Sequence, residues 1–243
     1  MATTLKTALI SGAGSGIGRG IARALDGLGI RLALLGRESA KLEETRAGLS
    51  GGASALTVSC DVADRNGVGG AVEKVLETFG SIDILVCNAG TNVRNRKLDV
   101  LAPEDWDRMV AVNLTGPFNL VKAVLPSMRE RGSGLIIQIC SISGLRASTL
   151  GGAGYSASKF GQSALGMCLG REEGIRGIRS TVIYPGEVNT PILDARPVPV
   201  PADRRAAILQ PEDIAAAVKF LVELDPRARV PELVMTPTVD DFC

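Results

Sequence analysis

Residues 7–18 read TALISGAGSGIG, a short aliphatic run that passes directly into alternating glycines. A helical pattern begins near Ile17, so the glycines stand at a strand-to-helix junction. Glycine permits a tight turn with φ above zero and close backbone approach, and a helix N-terminus presents free N–H groups to a pyrophosphate. The spacing of Gly12, Gly16 and Gly18 reads GxxxGxG and does not satisfy GxGxxG, and the alternative interpretation is an ordinary glycine-rich turn.

Seven short aliphatic runs predict β-strands, because they lack the polar alternation of strands with one face in water. The runs are residues 7–11, 31–35, 54–60, 82–87, 134–140, 178–184 and 232–235. Helical patterns lie near residues 17–28, 38–49, 67–79, 103–130, 154–174 and 211–224. This alternation predicts an α/β fold, in which residues 1–243 form a single Rossmann-type domain with a doubly wound parallel sheet of about seven strands and helices on both faces.

The composition excludes several classes of function. The 243 residues carry 27 Lys and Arg against 26 Asp and Glu, so the chain lacks the positive field that gathers nucleic acid or anionic lipid. The absence of His rules out Ser-His-Asp triads and HExxH zinc sites. The five cysteines form no CxxC pair, no apolar stretch reaches about 18 residues, and the start does not resemble a signal peptide. We expect a cytoplasmic protein with no metal site, no nucleic-acid partner and no membrane segment.

Residues 185–210 form the one compositional break. Five prolines lie there: Pro185, Pro191, Pro197, Pro199 and Pro201. This density of proline predicts a long loop without a regular element, and long loops inside a compact domain are usually functional. We expect residues 189–210 to be a substrate lid that is open or disordered without ligand and closes over the substrate.

Two further motifs are Asn88-Ala89-Gly90, after the fourth predicted strand, and YSASK at residues 155–159, in a predicted helix. Together with SGAGSGIG they make the chain resemble the short-chain dehydrogenase/reductase family over nearly its whole length. The order and spacing of the motifs make this resemblance specific. The other matching positions are Asp61-Val62, Asn113, Ser141 and Pro185-Gly186-Glu187-Val188-Asn189-Thr190.

The resemblance implies a nicotinamide dinucleotide cofactor. Asp61 and Val62 match the pair that contacts adenine, and the Asn88-Ala89-Gly90 turn matches the one that lines the cofactor. Val188 and Thr190 match positions that hold the nicotinamide carboxamide. Read alone, Asp61 suits a helix cap and Asn88 a turn residue. The expected cofactor-binding residues are Gly12, Ser15, Gly16, Ile17, Gly18, Arg37, Asp61, Val62, Asn88, Ala89, Gly90, Tyr155, Lys159, Pro185, Gly186, Val188 and Thr190.

The end of the second predicted strand bears on the choice between NAD and NADP. An acidic residue there would bind the ribose 2′-hydroxyl of NAD, but the sequence has Gly36 followed by Arg37. A guanidinium makes charge-assisted hydrogen bonds to a 2′-phosphate, which favours NADP. The alternative is that Arg37 is a solvated surface charge and Glu38 takes the ribose, which would make NAD the cofactor.

Tyr155 and Lys159 lie four residues apart in a predicted helix, so they share one face about one turn apart. This arrangement suits acid–base chemistry at a carbonyl oxygen. A free tyrosine has a pKa of about 10, and a Lys ammonium about 5 Å away contributes roughly 3 kcal/mol, or about 2 pKa units. We therefore expect Lys159 to lower the pKa of Tyr155.

The resemblance implies two more catalytic residues. Ser141 matches the serine that hydrogen-bonds the substrate oxygen, and Asn113 matches the helix asparagine that holds a water linking Lys159 to solvent. Thirteen residues separate Ser141 from Tyr155, one more than the usual spacing, so Ser143 is a possible substitute for Ser141.

The substrate is a small carbonyl compound or alcohol, with predicted pocket walls at Ile142, Leu145, Arg146, Leu150, Glu187 and the loop 189–210. Arg94, Arg96 and Lys97 suit an anionic substrate, but the favoured interpretation is a solvated surface or a subunit contact. Residues 230–237 resemble the ending of 3-hydroxy-acid and serine dehydrogenases of the family.

The preferred function is an NADP(H)-dependent oxidoreductase that interconverts a ketone or aldehyde and an alcohol, assembled as a homodimer or homotetramer. The alternatives are an NAD-dependent alcohol or hydroxy-acid dehydrogenase, a 3-oxoacyl-thioester reductase, and a non-catalytic dinucleotide-sensing regulator.

Overall fold

Seven parallel strands form the centre of the computed structural model, which describes residues 6–50 and 55–240. The spatial order is β3-β2-β1-β4-β5-β6-β7. The strands are β1 Thr7–Ser11, β2 Arg31–Gly36, β3 Ala55–Ser59, β4 Ile84–Cys87, β5 Gly134–Ile139, β6 Ile178–Pro185 and β7 Glu232–Met235. They confirm the predicted sheet, although Ser54 of the third predicted run lies outside the described residues.

Helices cover both faces of the sheet, as the sequence predicted. They are α1 Gly16–Asp26, α2 Ser39–Ala47, α3 Arg65–Phe79, α4 Pro103–Val110, α5 Gly116–Arg131, α6 Ala153–Glu173, α7 Ala202–Ala207 and α8 Pro211–Glu223. The predicted helix 103–130 is in fact two α-helices joined by a π-helical segment at Ala111–Thr115. None of the helices in the described part of the chain combines the length and apolarity required to cross a bilayer.

Two aliphatic layers hold the helices to the sheet. Strand residues alternate between them, so that Ile10 packs with α1 and α8 while its neighbour Leu9 packs with α3 and α5. Burying each such side chain contributes about 1.5–3 kcal/mol. Packed side chains therefore exclude water from both faces of the sheet, which explains why the strand sequences do not alternate between polar and apolar residues.

The strand order reverses at β1, because β1 pairs with β2 on one side and with β4 on the other. In open parallel sheets the crevice at such a switch point, outside the carboxyl ends of the strands, is where ligands bind. Ser11 and Asn88 join the two carboxyl ends. Nδ2 of Asn88 donates to the Ser11 carbonyl oxygen at 2.9 Å, and the Asn88 backbone N–H donates to Oγ of Ser11 at 2.9 Å.

The proline-rich stretch differs from its prediction. Residues 185–210 contain a 3-10 helix at Pro191–Ala195 and the short helix α7. Prolines are compatible with both, because Pro191 occupies the first position of one and Pro201 the N-cap of the other, where no intrahelical N–H bond is lost. A bridge between Val188 and Leu209 joins the two ends of the segment.

Replacing Gly18 by Ala is expected to destabilise the protein by about 1–3 kcal/mol, the usual cost of overpacking. A Cβ at Gly18 would lie 2.3 Å from the Gly12 carbonyl oxygen and 2.6 Å from Nδ2 of Asn88. The control is Gly70→Ala in α3, where nothing lies within 4 Å of the added carbon. This control should stabilise the helix by about 0.5–1 kcal/mol. Urea unfolding measures both changes, and unaltered stability of Gly18→Ala would contradict the close contact.

Candidate active site

A cavity of about 520 Å³ opens at the carboxyl ends of the strands, at the switch point. Its volume lies in the usual range for small-molecule sites. All the predicted cofactor-binding and catalytic residues line it except Gly18 and Asn113, which lie behind its wall. The topology therefore brings together residues that lie as far apart in sequence as Gly12 and Thr190.

The glycine loop, residues 11–18, forms one end of the cavity. Gly12 and Gly16 adopt φ values of +66° and +50°, a region that favours glycine. Ser15 makes no side-chain cap to α1, and no acidic residue lies in the first turn of this helix. The N-terminus of α1 thus faces the cavity with N–H groups and positive dipole, an arrangement that suits a pyrophosphate.

Thr190 packs directly on the glycine loop. A Cβ at Gly16 would lie 3.1 Å from Cγ2 of Thr190, so the absence of a side chain permits this contact. The chain that leaves β6 is thereby held beside the first turn of α1. The predicted carboxamide-binding residues Val188 and Thr190 both line the cavity on this segment.

Asp61 and Val62 lie where β3 ends. The carboxylate of Asp61 accepts the Ala63 backbone N–H at 3.0 Å, whereas Asp64 is the residue that caps α3. The interpretation of Asp61 as the cap of this helix is therefore wrong. Asn119 fixes the turn, because its Nδ2 donates to the Val62 carbonyl oxygen at 3.0 Å.

The carboxyl end of β2 carries two cationic side chains that line the cavity, Arg37 and Lys41. Nζ of Lys41 lies 2.9 Å from a carboxylate oxygen of Glu38. Sequence reasoning missed Lys41. Its signal was its place in the helix that directly follows the second strand, beside the strand end at which ligands bind in such sheets.

Tyr155 and Ser141 meet at the other end of the cavity. Tyr155 is partly exposed to this space, yet the protein around its phenol raises its pKa to about 12. A side-chain hydrogen bond with Ser141 acts in the opposite direction but is outweighed. Ser143 donates its backbone N–H to Oγ of Ser141 at 3.1 Å, so it supports Ser141 from behind. Between the two serines, the geometry favours Ser141 as the partner of Tyr155.

Lys159 does not lower the pKa of Tyr155 in this structure, which corrects the sequence prediction. Its Nζ donates to Oε1 of Gln162 at 2.7 Å and to the Ile139 carbonyl oxygen at 3.1 Å, and lies 5.8 Å from the centre of the Tyr155 ring. Burial lowers the pKa of Lys159 as it raises that of Tyr155. The physical reason is that removing water favours the neutral form of both groups.

Asn113 is completely buried in the π-helical segment. Its amide accepts the Thr91 N–H at 2.8 Å and donates to the Thr91 carbonyl oxygen and to Oγ of Ser158. The side chain therefore joins the segment after the Asn88-Ala89-Gly90 turn to α6, which carries Tyr155 and Lys159. A π-helical turn at such a position is frequent at functional sites.

The substrate end of the cavity differs partly from its prediction. Ile142, Leu150 and Glu187 line it, but Leu145 and Arg146 do not. Leu145 packs instead against Cys140 and Tyr184. Arg94 and Lys97 are exposed, as the surface interpretation expected, but the interpretation is wrong for Arg96, which is buried and lines the cavity. Arg196, within the predicted wall loop 189–210, also lines the cavity.

The described residues fit a dinucleotide that carries a nicotinamide, a group that supplies hydride transfer when it is bound. Glycines of the loop line the cavity beside the N-terminus of α1, and the cations Arg37 and Lys41 line it near the end of β2. Across the described residues, no three carboxylate or thiol side chains cluster as metal ligands. Cys243 lies outside the described residues.

The chain is similar to known oxidoreductases. A family profile described as short chain dehydrogenase matches residues 6–198. An uncharacterized oxidoreductase of Staphylococcus aureus (strain MW2) is 36% identical over 237 residues, which are 96% of this chain and 98% of the relative.

Solved structures extend the similarity to the whole fold. The alcohol dehydrogenase of the archaeon Thermococcus sibiricus, complexed with 5-hydroxy-NADP, has a TM-score of 0.87 at 32% identity over 98% of each chain. The 3-ketoacyl-(acyl-carrier-protein) reductase of Brucella melitensis, complexed with NADH, has a TM-score of 0.87 at 28% identity over 96% of this chain and 97% of that one.

The chain belongs to the short-chain dehydrogenase/reductase family, which confirms the resemblance drawn from its motifs. It is an oxidoreductase that acts on CH–OH groups.

Both tyrosines of the chain should resist ionisation in the folded protein without cofactor. Burial raises the pKa of Tyr155 to about 12 and also raises that of Tyr184. At pH 10, where a free tyrosine is half ionised, Tyr155 is expected to be about 1% tyrosinate. Near-ultraviolet absorbance during a pH titration measures this fraction. The same chain unfolded in guanidinium is the control and should titrate near 10, and a folded-state midpoint at that pH would contradict the expectation.

Proposed function

We propose that the protein is an NADP(H)-dependent oxidoreductase that interconverts a ketone or aldehyde and an alcohol, with Tyr155 as the acid–base residue. One observation carries the proposal. Tyr155 and Ser141 line the same cavity as the N-terminus of α1 and the glycine loop. A proton donor and a helix N-terminus suited to phosphate therefore line a single cavity.

The raised pKa of Tyr155 makes the phenol a proton donor at neutral pH. During reduction negative charge develops on the substrate oxygen, and Tyr155 transfers its proton there while Ser141 donates a hydrogen bond. For alcohol oxidation Tyr155 must first lose its proton, so the approach of positive charge has to lower its pKa. Lys159 supplies that charge if its Nζ turns from Gln162 towards the phenol. Asn113 keeps the role of relay anchor that the family resemblance implies.

NADP is proposed over NAD because of the charges at the end of β2. Arg37 and Lys41 both line the cavity there, and the carboxylate of Glu38 is paired with Lys41. Two cations against one carboxylate favour a 2′-phosphate over a 2′-hydroxyl. The two solved relatives hold an NADP derivative in one case and NADH in the other, so a nicotinamide dinucleotide is common to both.

The remaining expectations are proposed with this function. The substrate is a small molecule, the lid is residues 189–210, the protein is cytoplasmic, and it assembles as a homodimer or homotetramer. A non-catalytic regulator is disfavoured, because such a protein has no need of a phenol hydrogen-bonded to a serine in the ligand cavity. Reduction of a 3-oxoacyl thioester is the second candidate, since one similar solved structure is a 3-ketoacyl-(acyl-carrier-protein) reductase.

Tyr155→Phe should abolish turnover of every carbonyl or alcohol substrate and leave cofactor affinity nearly unchanged. The substitution removes the transferable proton but keeps the aromatic ring, and Tyr155 belongs to α6 rather than to the glycine loop. Activity is followed by nicotinamide absorbance across a panel of ketones, aldehydes and hydroxy acids, and affinity by cofactor fluorescence. The parallel variant Tyr184→Phe, at the other tyrosine, should keep its activity. Equal turnover by Tyr155→Phe and the parent would overturn the assignment.

The parent should bind NADPH better than NADH, and Arg37→Ala should weaken NADPH binding about 10- to 150-fold. This range corresponds to a charge-assisted hydrogen bond of about 1.5–3 kcal/mol. NADH binding should barely change, because NADH has no 2′-phosphate. Arg46→Ala is the matched control, since Arg46 lies on α2 in an exposed pair with Glu43. Fluorescence titration with both reduced cofactors measures the four affinities, and a parent that prefers NADH would contradict the proposal.

A further inference from the structure

Arg96 is a buried cation in the wall of the cavity, only 5% exposed. Its guanidinium donates to three backbone carbonyl oxygens: Nε to Val93 at 2.7 Å, Nη1 to Leu150 at 2.9 Å, and Nη2 to Ala195 at 2.6 Å. These carbonyls belong to three separate segments that surround the substrate end. Arg96 is thus held rigidly at the point where they meet.

The charge of Arg96 is not balanced by the protein that the structure describes. Within residues 6–50 and 55–240, no carboxylate oxygen lies within 4.0 Å of its guanidinium. A buried charge without a partner is costly, so buried arginines are normally paired. The buried end of Glu173, for example, is paired with Arg129 at 2.6 Å. Arg96 is a buried arginine without such a pair, and it lies in the wall of the cavity where a ligand is expected to bind.

A second arginine adds to the positive charge of this wall. Arg196 lines the cavity and pairs with Glu187 at 2.6 Å. Glu187 also binds Arg204, which in turn pairs with Asp240. Glu187 and Asp240 therefore neutralise Arg196 and Arg204, and neither of them pairs with Arg96. Burial, and next the charge of Arg196, lower the pKa of Arg96.

Arg96 and Tyr155 both line this part of the cavity: Nη1 of Arg96 bonds to the Leu150 carbonyl oxygen, and at the next residue, Gly151, an added Cβ would lie 3.5 Å from Cδ1 of Tyr155. A substrate whose carbonyl oxygen accepts a proton from Tyr155 would thus extend towards Arg96. The guanidinium has five N–H groups and uses three, which leaves one on each terminal nitrogen. A carboxylate that reaches both of these groups would make a two-bond contact.

We propose that Arg96 binds a carboxylate of the substrate, so that the substrates are oxo acids and the corresponding hydroxy acids. This inference rests on the proposed function. The carboxylate is unchanged by the reaction. The carbonyl carbon of the oxo acid accepts a hydride from reduced nicotinamide, which is left oxidised, and the carbonyl oxygen accepts the proton of Tyr155. The C=O bond becomes the C–O–H of a hydroxy acid.

The kinetic test compares acids with their neutral esters: pyruvate with methyl pyruvate, and acetoacetate with methyl acetoacetate. For whichever pair the parent turns over faster, its kcat/KM should be at least about tenfold higher for the acid than for the ester. Arg96→Met should lose about 10- to 150-fold for the acid, the scale of a charge-assisted contact, and leave the ester within about threefold. Arg96→Lys, which keeps the charge, should recover part of the acid preference. Arg94→Met removes an exposed arginine that contacts the Asp194 carbonyl oxygen, and it should change neither substrate.

Three kinetic results would overturn the proposal. If acid and ester lose activity equally in Arg96→Met, the residue only ties the three segments together. If the parent prefers the esters, the positive wall does not select an acid. Preference for acyl thioesters over free acids would likewise exclude a free carboxylate as the partner of Arg96.

A binding measurement makes the test independent of turnover. Butyrate, but not butyramide, should raise the thermal unfolding temperature of the parent with NADP⁺ present, and Arg96→Met should lose this difference while Arg94→Met keeps it. Equal effects of butyrate and butyramide on the parent would overturn the proposal. Absence of turnover with every carbonyl compound and both cofactors would instead refute the proposed function, and the butyrate result would still decide whether Arg96 binds a carboxylate.

Discussion

The close approach of the glycine loop to the end of β4 is the constraint on which the rest of the molecule depends. Gly18 lies so near the Gly12 carbonyl oxygen that no side chain fits, and Asn88 donates to the backbone of this loop from the neighbouring strand. These contacts hold α1 against the sheet at the point where the strand order reverses. The crevice at the switch point, and with it the phosphate-binding end of the cavity, follows from this contact.

Water exclusion sets the chemistry at the opposite end. The same loss of solvent raises the pKa of Tyr155 and lowers that of Lys159, so the structure holds a proton donor beside a lysine that is bonded to Gln162. Positive charge arriving in the cavity is what would shift this balance towards the phenolate. The acid–base behaviour of the site therefore depends on what occupies the cavity as well as on the spacing of the two residues in α6.

Arginines organise the substrate end. Arg96 bonds to three loop carbonyls, and Arg196 and Arg204 share Glu187, so the proline-rich segment is tied to the cavity wall by guanidinium groups. Burial alone would raise the pKa of Glu187, but the two arginines outweigh it and lower the pKa, so the carboxylate stays ionised. Among these arginines, Arg96 is the one without a carboxylate partner in the described residues. We propose that the carboxylate of an acidic substrate takes that place.

The sequence by itself determined the parallel α/β fold, the family and the positions of the glycine loop and of Tyr155 and Lys159, because these depend on local patterns: aliphatic runs, glycine spacing and helical periodicity. It could not determine that proline would begin short helices in residues 185–210, since proline is unfavourable in helix interiors but fits the first turn of a helix. Tertiary structure alone decided that Arg96 is buried while Arg94 is exposed, and that the pKa of Tyr155 rises. Burial and solvent exclusion are properties of segments brought together from distant parts of the chain, and no local pattern carries them.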